Sequence, residues 1–230
     1  MSAPTYHYAV CQGTEEWLQL RTGLITASEM ELLMTPTLKP ANNDKSRAHL
    51  YELAAQRITG YTEPSFVSED MMRGWSDEVL ARDLYAKNYA PVQECGFVTA
   101  EINGHTVGYS PDALVGDDGL IECKSRRQKY QVKTVCEGGV PDEYMLQIQT
   151  GLLVTGRKWL DFVSYCGGLP MMVMRVYPDR EMQMSIIEAI ISAEIQIKYL
   201  VSTYEQTVRN NPLWPETERH IEKEMPSWAV

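Results

Sequence analysis

The stretch YSPDALVGDDGLIECKS, residues 109–125, limits this chain more than any other, because it sets charges into a strand pattern. Apolar runs flank GDDG at 116–119, which reads as a hairpin turn between strands near 105–110 and 119–124. Residues two apart on a strand project the same way, so Glu122 and Lys124 share a face and Cys123 points to the other. Turning at Asp117–Asp118 brings Asp112 back level with Glu122. Isolated carboxylates resist burial. Either this hairpin lies in water or its carboxylates converge on a cation. Two converging carboxylates are hard oxygen ligands of the kind Mg²⁺ takes, and the Cys123 backbone carbonyl between them offers a third oxygen. Lys124 then stands ready to hold or deprotonate an attacking water and to stabilise charge on a phosphate. The ordinary alternative is a solvated acidic turn beside a routine Glu–Lys pair. Asp117 and Asp118 fit that alternative well.

The rest of the chain supports a mixed α/β (α+β) fold, with a mixed central sheet flanked by helices. Helices are expected over 14–20 and 26–35, the second capped by Thr26 or Ser28, with a loop over 35–46. Further helices are expected near 46–58, ended by Gly60, and near 75–89. Strands near 93–100, 105–110 and 119–124 form a small, mostly antiparallel sheet. A helix near 141–155, closed by Gly156, precedes two more strands near 159–165 and 171–177. A long helix over 179–209 repeats Ile186, Ile190, Ala193, Ile197, Leu200 and Tyr204 at three- and four-residue spacing, as a core or subunit-contact helix does. With 230 residues, 44% of them apolar and 23% charged, one domain over 1–230 is expected, ending in this helix and a tail over about 179–230.

Other chemistries lack their residues. No Walker loop, GxSxG or GxGxxG is present. The four histidines, His7, His49, His105 and His220, are dispersed and read as solvated or hydrogen-bonded imidazoles. Five cysteines without a CxxC spacing argue against a zinc cluster or a disulfide framework. No run of eighteen apolar residues appears, and the N-terminal stretch has neither the basic start nor the apolar run of a signal peptide. A cytoplasmic protein without membrane contact is expected. The net charge of −10 lowers the expectation of DNA binding without excluding a local basic lining.

Three further stretches change the weighing. QGTEEWLQLRTGLITASEM (12–30), RGWSDEVLAR (73–82) and YMLQIQTGLLVTG (144–156) occur in order around the hairpin. Together with SPDALVGDDGLIECKS they resemble the phage lambda exonuclease family, the viral-recombinase branch of the PD-(D/E)xK nucleases, from about residue 11 to 177. The resemblance implies a restriction-endonuclease-like core. It implies a Mg²⁺-dependent exonuclease, Mn²⁺ substituting and two ions per site, that degrades one strand of linear duplex DNA 5′→3′. By matching position, Asp112 and Glu122 are metal ligands, the Cys123 carbonyl is a further one, and Lys124 acts on the nucleophilic water. Glu78 matches a helix carboxylate that completes the metal site, and Gln147 a glutamine that supports it. Arg21, Ser28 and Ser110 match residues that bind a terminal 5′-phosphate, and Met71 matches an apolar wedge at the duplex end. A ring-shaped homotrimer, a single-strand annealing partner and a phage or prophage origin in a bacterial cytoplasm are also implied. The chain departs from the family at Ile102, where a further aspartate would stand.

The residues themselves admit plainer roles. Glu78 reads equally as a solvated helix-start glutamate, with Gly74 before it allowing close packing. Arg21 and Ser28 read as a surface arginine and a capping serine, or as an anion site at a helix start. Met71, Trp17 and Trp75 read as packing residues. Arg126, Arg127, Lys129 and Lys133 form a DNA track or a solvated basic patch. Of the two glutamines in an otherwise apolar helix, Gln147 is expected inward and Gln149 outward. Two rival functions use the same core: a structure-specific or restriction-type endonuclease without a 5′-phosphate pocket, and a catalytically silent DNA-end adaptor. A Ca²⁺ module built on GDDG fails, because the loop lacks the alternating oxygen ligands.

Overall fold

The computed structural model describes residues 3–64 and 68–219. The chain runs β1 (Thr5–His7), α1 (Glu15–Arg21), β2 (Ile25–Thr26), a 3₁₀ turn (Ala27–Glu29), α2 (Met30–Leu33), α3 (Asp44–Thr59) and α4 (Glu69–Asn88). Then follow β3 (Phe97–Ile102), β4 (His105–Tyr109), β5 (Ala113–Val115), β6 (Gly119–Ser125) and α5 (Gln128–Glu137). A second 3₁₀ turn (Asp142–Tyr144) leads into α6 (Met145–Thr155), β7 (Trp159–Tyr165), β8 (Met172–Val176) and α7 (Arg180–Asn210).

Two mixed four-stranded sheets form, in the orders β1-β3-β4-β2 and β5-β6-β7-β8, rather than one small antiparallel sheet with additions. The chain changes sheet at Pro111, which has no N–H to donate to a ladder. Before it, β4 pairs back onto β3 across Asn103 and Gly104, both at positive φ as a tight two-residue hairpin requires. After it, β5 pairs with β6, so the GDDG hairpin exists but its first arm is Ala113–Val115 and not 105–110. The register Ala113↔Ile121 sets Asp112 level with Glu122, as expected.

The main core joins both sheets to α2, α3, α6 and α7 through residues such as Ile25, Leu53, Ile102, Leu120, Ile148, Phe162 and Ile190. A smaller core packs Ala81 and Tyr85 of α4 against Ala113, Ile121, Cys123 and Val163. Along β6 the alternation therefore puts Leu120 on the α6 side and Ile121 and Cys123 on the α4 side. Ile102 is core, which accounts for its apolar character.

Several expectations are corrected. Residues 26–35 do not form one helix, because Ile25 and Thr26 pair in parallel with Val107 and Gly108 of β4. Thr26 makes no side-chain cap bond there. Helix α4 starts at Glu69, with the Ser68 hydroxyl accepting from the Met71 N–H at 3.2 Å. Glu78 is thus mid-helix, and a side chain at Gly74 would meet open space rather than a packed neighbour. Helix α5 was unexpected because its buried side is polar: Gln131 and Thr134 face in, and Val132 and Val135 face out. In α7, Ile186, Ile190, Ala193 and Ile197 are buried as their spacing requires, but Tyr204 lies on an exposed extension. Among the described residues no helix is long and apolar enough to cross a membrane.

Candidate active site

A cleft of about 770 Å³ opens where β6, α4, α6 and the 3₁₀ turn after β2 meet, and Asp112, Glu122 and Lys124 line it. Asp112 and Glu122 are 8% and 2% exposed, so the solvated-turn alternative fails for them. Asp118, by contrast, pairs at the surface with Lys158. Glu122 Oε1 accepts from Lys124 Nζ at 2.8 Å and from Gln147 Nε2 at 2.6 Å. Its Oε2 accepts from the buried Tyr109 hydroxyl at 2.8 Å. Lys124 Nζ also donates to Gln147 Oε1 at 3.0 Å, closing a three-residue ring. Asp112 Oδ2 accepts from the Cys123 N–H at 2.5 Å, and the Cys123 side chain points into the smaller core. Gln147 therefore faces the site as expected. Gln149 is corrected: it is fully buried, donating to the Tyr177 carbonyl and accepting from the Asp179 N–H to anchor the start of α7.

Burial, then the charges of Glu122 and Glu78, push the Asp112 carboxyl well above its ordinary value. Burial raises Glu78 too, opposed by Arg82 and reinforced by Glu122. Burial disfavours the Lys124 charge, but Glu122 and Asp112 outweigh it and keep the ammonium protonated beyond its ordinary range. Asp112, Glu122 and Glu78 thus stand near one another with Lys124 and Arg82 against them. A divalent cation relieves that repulsion, and Mg²⁺ needs only one or two protein carboxylates because it keeps waters. The donor chemistry fits. Among the described residues no three His, Cys, Asp or Glu side chains gather into a ligand set, and Glu78 Oε1 is engaged by Arg82 Nη1 at 3.2 Å. Arg82 also donates to the Asp112 carbonyl, a link that the sequence reading missed.

At the other end of the cleft, Arg21, Ser28 and Ser110 do meet. Arg21 Nη1 reaches Ser110 Oγ at 3.4 Å, and Nη2 reaches Ser28 Oγ at 3.4 Å and Thr26 Oγ1 at 3.2 Å. The guanidinium lies over the Trp17 ring at 4.4 Å, and Trp17 Nε1 donates to Ser110 Oγ at 2.9 Å. Trp17 and Thr26, expected as a packing residue and a helix cap, are instead neighbours of this guanidinium. The i,i+4 spacing of Trp17 and Arg21 on one helix face was the available signal.

Met71 and Trp75 are 42% and 56% exposed on the cleft wall, so neither is the packing residue first read there. Arg126 is not a solvated patch: it lines the cleft but is buried, donating to Glu143 Oε1 at 3.0 Å and to the Tyr144 hydroxyl. Arg127 and Lys133 line the cleft. His105 lies away from the site and faces Glu194 of α7 at 3.7 Å. His220 lies outside the described residues. All five cysteines are free.

A family model for the YqaJ-like viral recombinase domain matches residues 16–158, more than half of the chain. The chain belongs to the YqaJ-like viral recombinase family. The alkaline exonuclease LHK-Exo from Laribacter hongkongensis is 32% identical, with a TM-score of 0.71 over 84% of this chain and 100% of that one. The complex of LHK-Exo with dAMP gives 0.67 at the same identity and coverage. A phage related exonuclease from Haemophilus somnus 129PT shares the fold, with 13% identity and a TM-score of 0.57 over 79% of this chain and 96% of that one. No curated protein matches the chain. This YqaJ-like protein thus has the restriction-endonuclease-like α+β fold of the viral-recombinase-type exonucleases, as the motif blocks implied.

Proposed function

We propose that this YqaJ-like protein is a Mg²⁺-dependent 5′→3′ exonuclease on linear double-stranded DNA, leaving a 3′ single strand for annealing-type recombination. One observation carries the reading: Ser110 belongs to the Arg21 anion clamp, Asp112 to the carboxylate cluster, and only Pro111 separates them. Two residues of extended chain span roughly 7 Å. A phosphate gripped by Arg21 therefore lies beside the carboxylates, as cutting next to a strand end requires. LHK-Exo is an alkaline exonuclease solved with dAMP, and a deoxynucleoside monophosphate is the product class of such cutting.

Asp112 and Glu122 would hold Mg²⁺ or Mn²⁺, two ions with the Cys123 carbonyl and Glu78 contributing, and when bound the metal supplies Lewis acidity at the scissile phosphate. Tyr109 and Gln147 fix the Glu122 carboxylate. Lys124 Nζ, held by Glu122 and Gln147, places positive charge and a proton donor where the phosphate is attacked. Arg21, Ser28 and Ser110 bind the terminal phosphate, and Met71 wedges the duplex end. The same reading makes the enzyme a cytoplasmic homotrimer that works with a single-strand annealing protein.

Digestion of end-labelled duplex with Mg²⁺ tests this. Mononucleotides should be released from 5′ ends of linear DNA, faster from 5′-phosphate than from 5′-hydroxyl ends, and circular duplex should survive. Cutting of circular duplex would replace this reading with the endonuclease one.

A further inference from the structure

Between Arg21 and Thr26 the chain turns at Gly23, where φ is +71° and an added Cβ would lie 2.7 Å from Arg57 Cγ. Both polar groups of Gly23 are taken by consecutive residues of α3. Its N–H donates to Gln56 Oε1 at 2.8 Å, and its carbonyl accepts from Arg57 Nε at 2.7 Å. Arg57 then turns its remaining two nitrogens onto Glu194 of α7, at 2.9 and 2.6 Å. The Glu194 side chain is 5% exposed, and His105 of β4 stands 3.7 Å from it.

Bonds directed at both polar groups of one turn residue stabilise the fold and also fix where that peptide sits. Gly23 is two residues from Arg21 and three and five from Thr26 and Ser28, so it is the pivot between the two arms of the clamp. A fork on the guanidinium fixes orientation in a way that a single ammonium cannot. We infer that Gln56, Arg57 and Glu194 are positioning residues for terminal-phosphate selection: they hold the Gly23 peptide so that Arg21 and Ser28 converge on one phosphate. This rests on the phosphate-clamp reading above. None of the three lines the cleft, so they act through Arg21.

The experiment measures, for each full-length variant, the ratio of degradation rates on 5′-phosphorylated and 5′-hydroxyl linear duplex with Mg²⁺. It also measures the affinity of the chelated protein for the same two duplexes. Arg57→Lys keeps the charge and loses the fork; Glu194→Gln keeps the shape and loses the charge that orients Arg57. Both should lower the phosphate preference about three- to tenfold in rate and in affinity, short of the ~100-fold that a 1 Å misplacement can cost. Arg175→Lys weakens another ion pair, with Asp161, remote from the clamp, and should leave the preference intact. Should Arg57→Lys fail to fold, Glu194→Gln decides alone. An unchanged ratio in the folded variants, with Arg21→Ala lowering it, overturns the positioning role and leaves the clamp standing. An equal drop in Arg175→Lys also overturns it, as general loosening. If Arg21→Ala itself leaves the ratio unchanged, the clamp reading falls and this inference with it.

Discussion

Around Glu122 the carboxylate oxygens accept at 2.6 to 2.8 Å, whereas around Arg21 the serine and threonine hydroxyls stand at 3.2 to 3.4 Å. The carboxylate end of the cleft is closed on itself, with partners of Glu122 drawn from its own strand, from β4 of the other sheet and from α6. At the clamp end the contacts of Arg21 with the hydroxyls are the long ones, and its turn is bonded from behind by α3. Charge explains the contrast. Buried like charges must be neutralised by every partner within reach. An anion site instead needs donors whose present bonds are easily exchanged for a phosphate.

The largest effects should come from the closed end. Lys124→Ala should cost about 10²–10⁴ in cleavage while DNA affinity persists, read by single-turnover digestion. Near wild-type cutting would remove Lys124 from the chemistry. Asp112→Asn should abolish Mg²⁺-supported cutting, yet the metal-free protein should melt higher, by roughly 0.5–2 kcal/mol, because the mutual repulsion is gone. A lower melting point would show that the cluster is not strained by like charges.

At the clamp end, Arg21→Ala should erase a preference for 5′-phosphate ends of about 1.5–3 kcal/mol, roughly one to two orders of magnitude, while 5′-hydroxyl ends are cut as before. Equal losses on both ends would merge the two regions into one functional unit and end the comparison.

Acid should act on the two regions with opposite signs. Burial alone would raise Glu194, but Arg57, aided by His105, more than offsets it and holds the carboxyl below its ordinary 4.5. A depressed folded value means that this stabilisation is complete above the ordinary range and is lost as pH falls through the folded value. Asp112 is raised, so its protonation relieves the native state as pH falls. Urea midpoints of the metal-free protein, compared between wild type and Glu194→Gln, should converge below pH 4.5. A constant gap down to acid would show that Glu194 is not depressed. The smallest effect belongs to Met71→Ala, which should slow degradation of blunt duplex ends and spare ends already frayed. Equal slowing on both would dismiss the wedge.

Much of the closed end was legible because it is local. The alternation of 119–124 and the turn at GDDG put Asp112 level with Glu122 and Lys124 beside it, whichever strand formed the other arm. Period-two geometry over so short a span leaves the side chains little choice. The clamp residues were reached through the W-x-x-L-R block, whose helix spacing joins Trp17 to Arg21. The failures share one cause: polar residues whose partners are distant in sequence. Gln149 was expected outward and the helix that carries Gln131 was not expected at all, yet both side chains face inward, since their amides satisfy backbone groups that water would otherwise have to reach. The solvated-patch alternative for Arg126 failed in the same way, since Glu143 and Tyr144 take its guanidinium.

The sequence by itself determined which side chains share a strand face and where the chain must turn, because pleat and turn stereochemistry act over a few residues. Only the tertiary structure decided that Pro111 separates two sheets, and that Arg57 closes on Glu194 across 137 positions. No periodicity carries such a pairing. It exists only once packing has brought α3, α7 and the Gly23 turn together and excluded the water that would have solvated each charge.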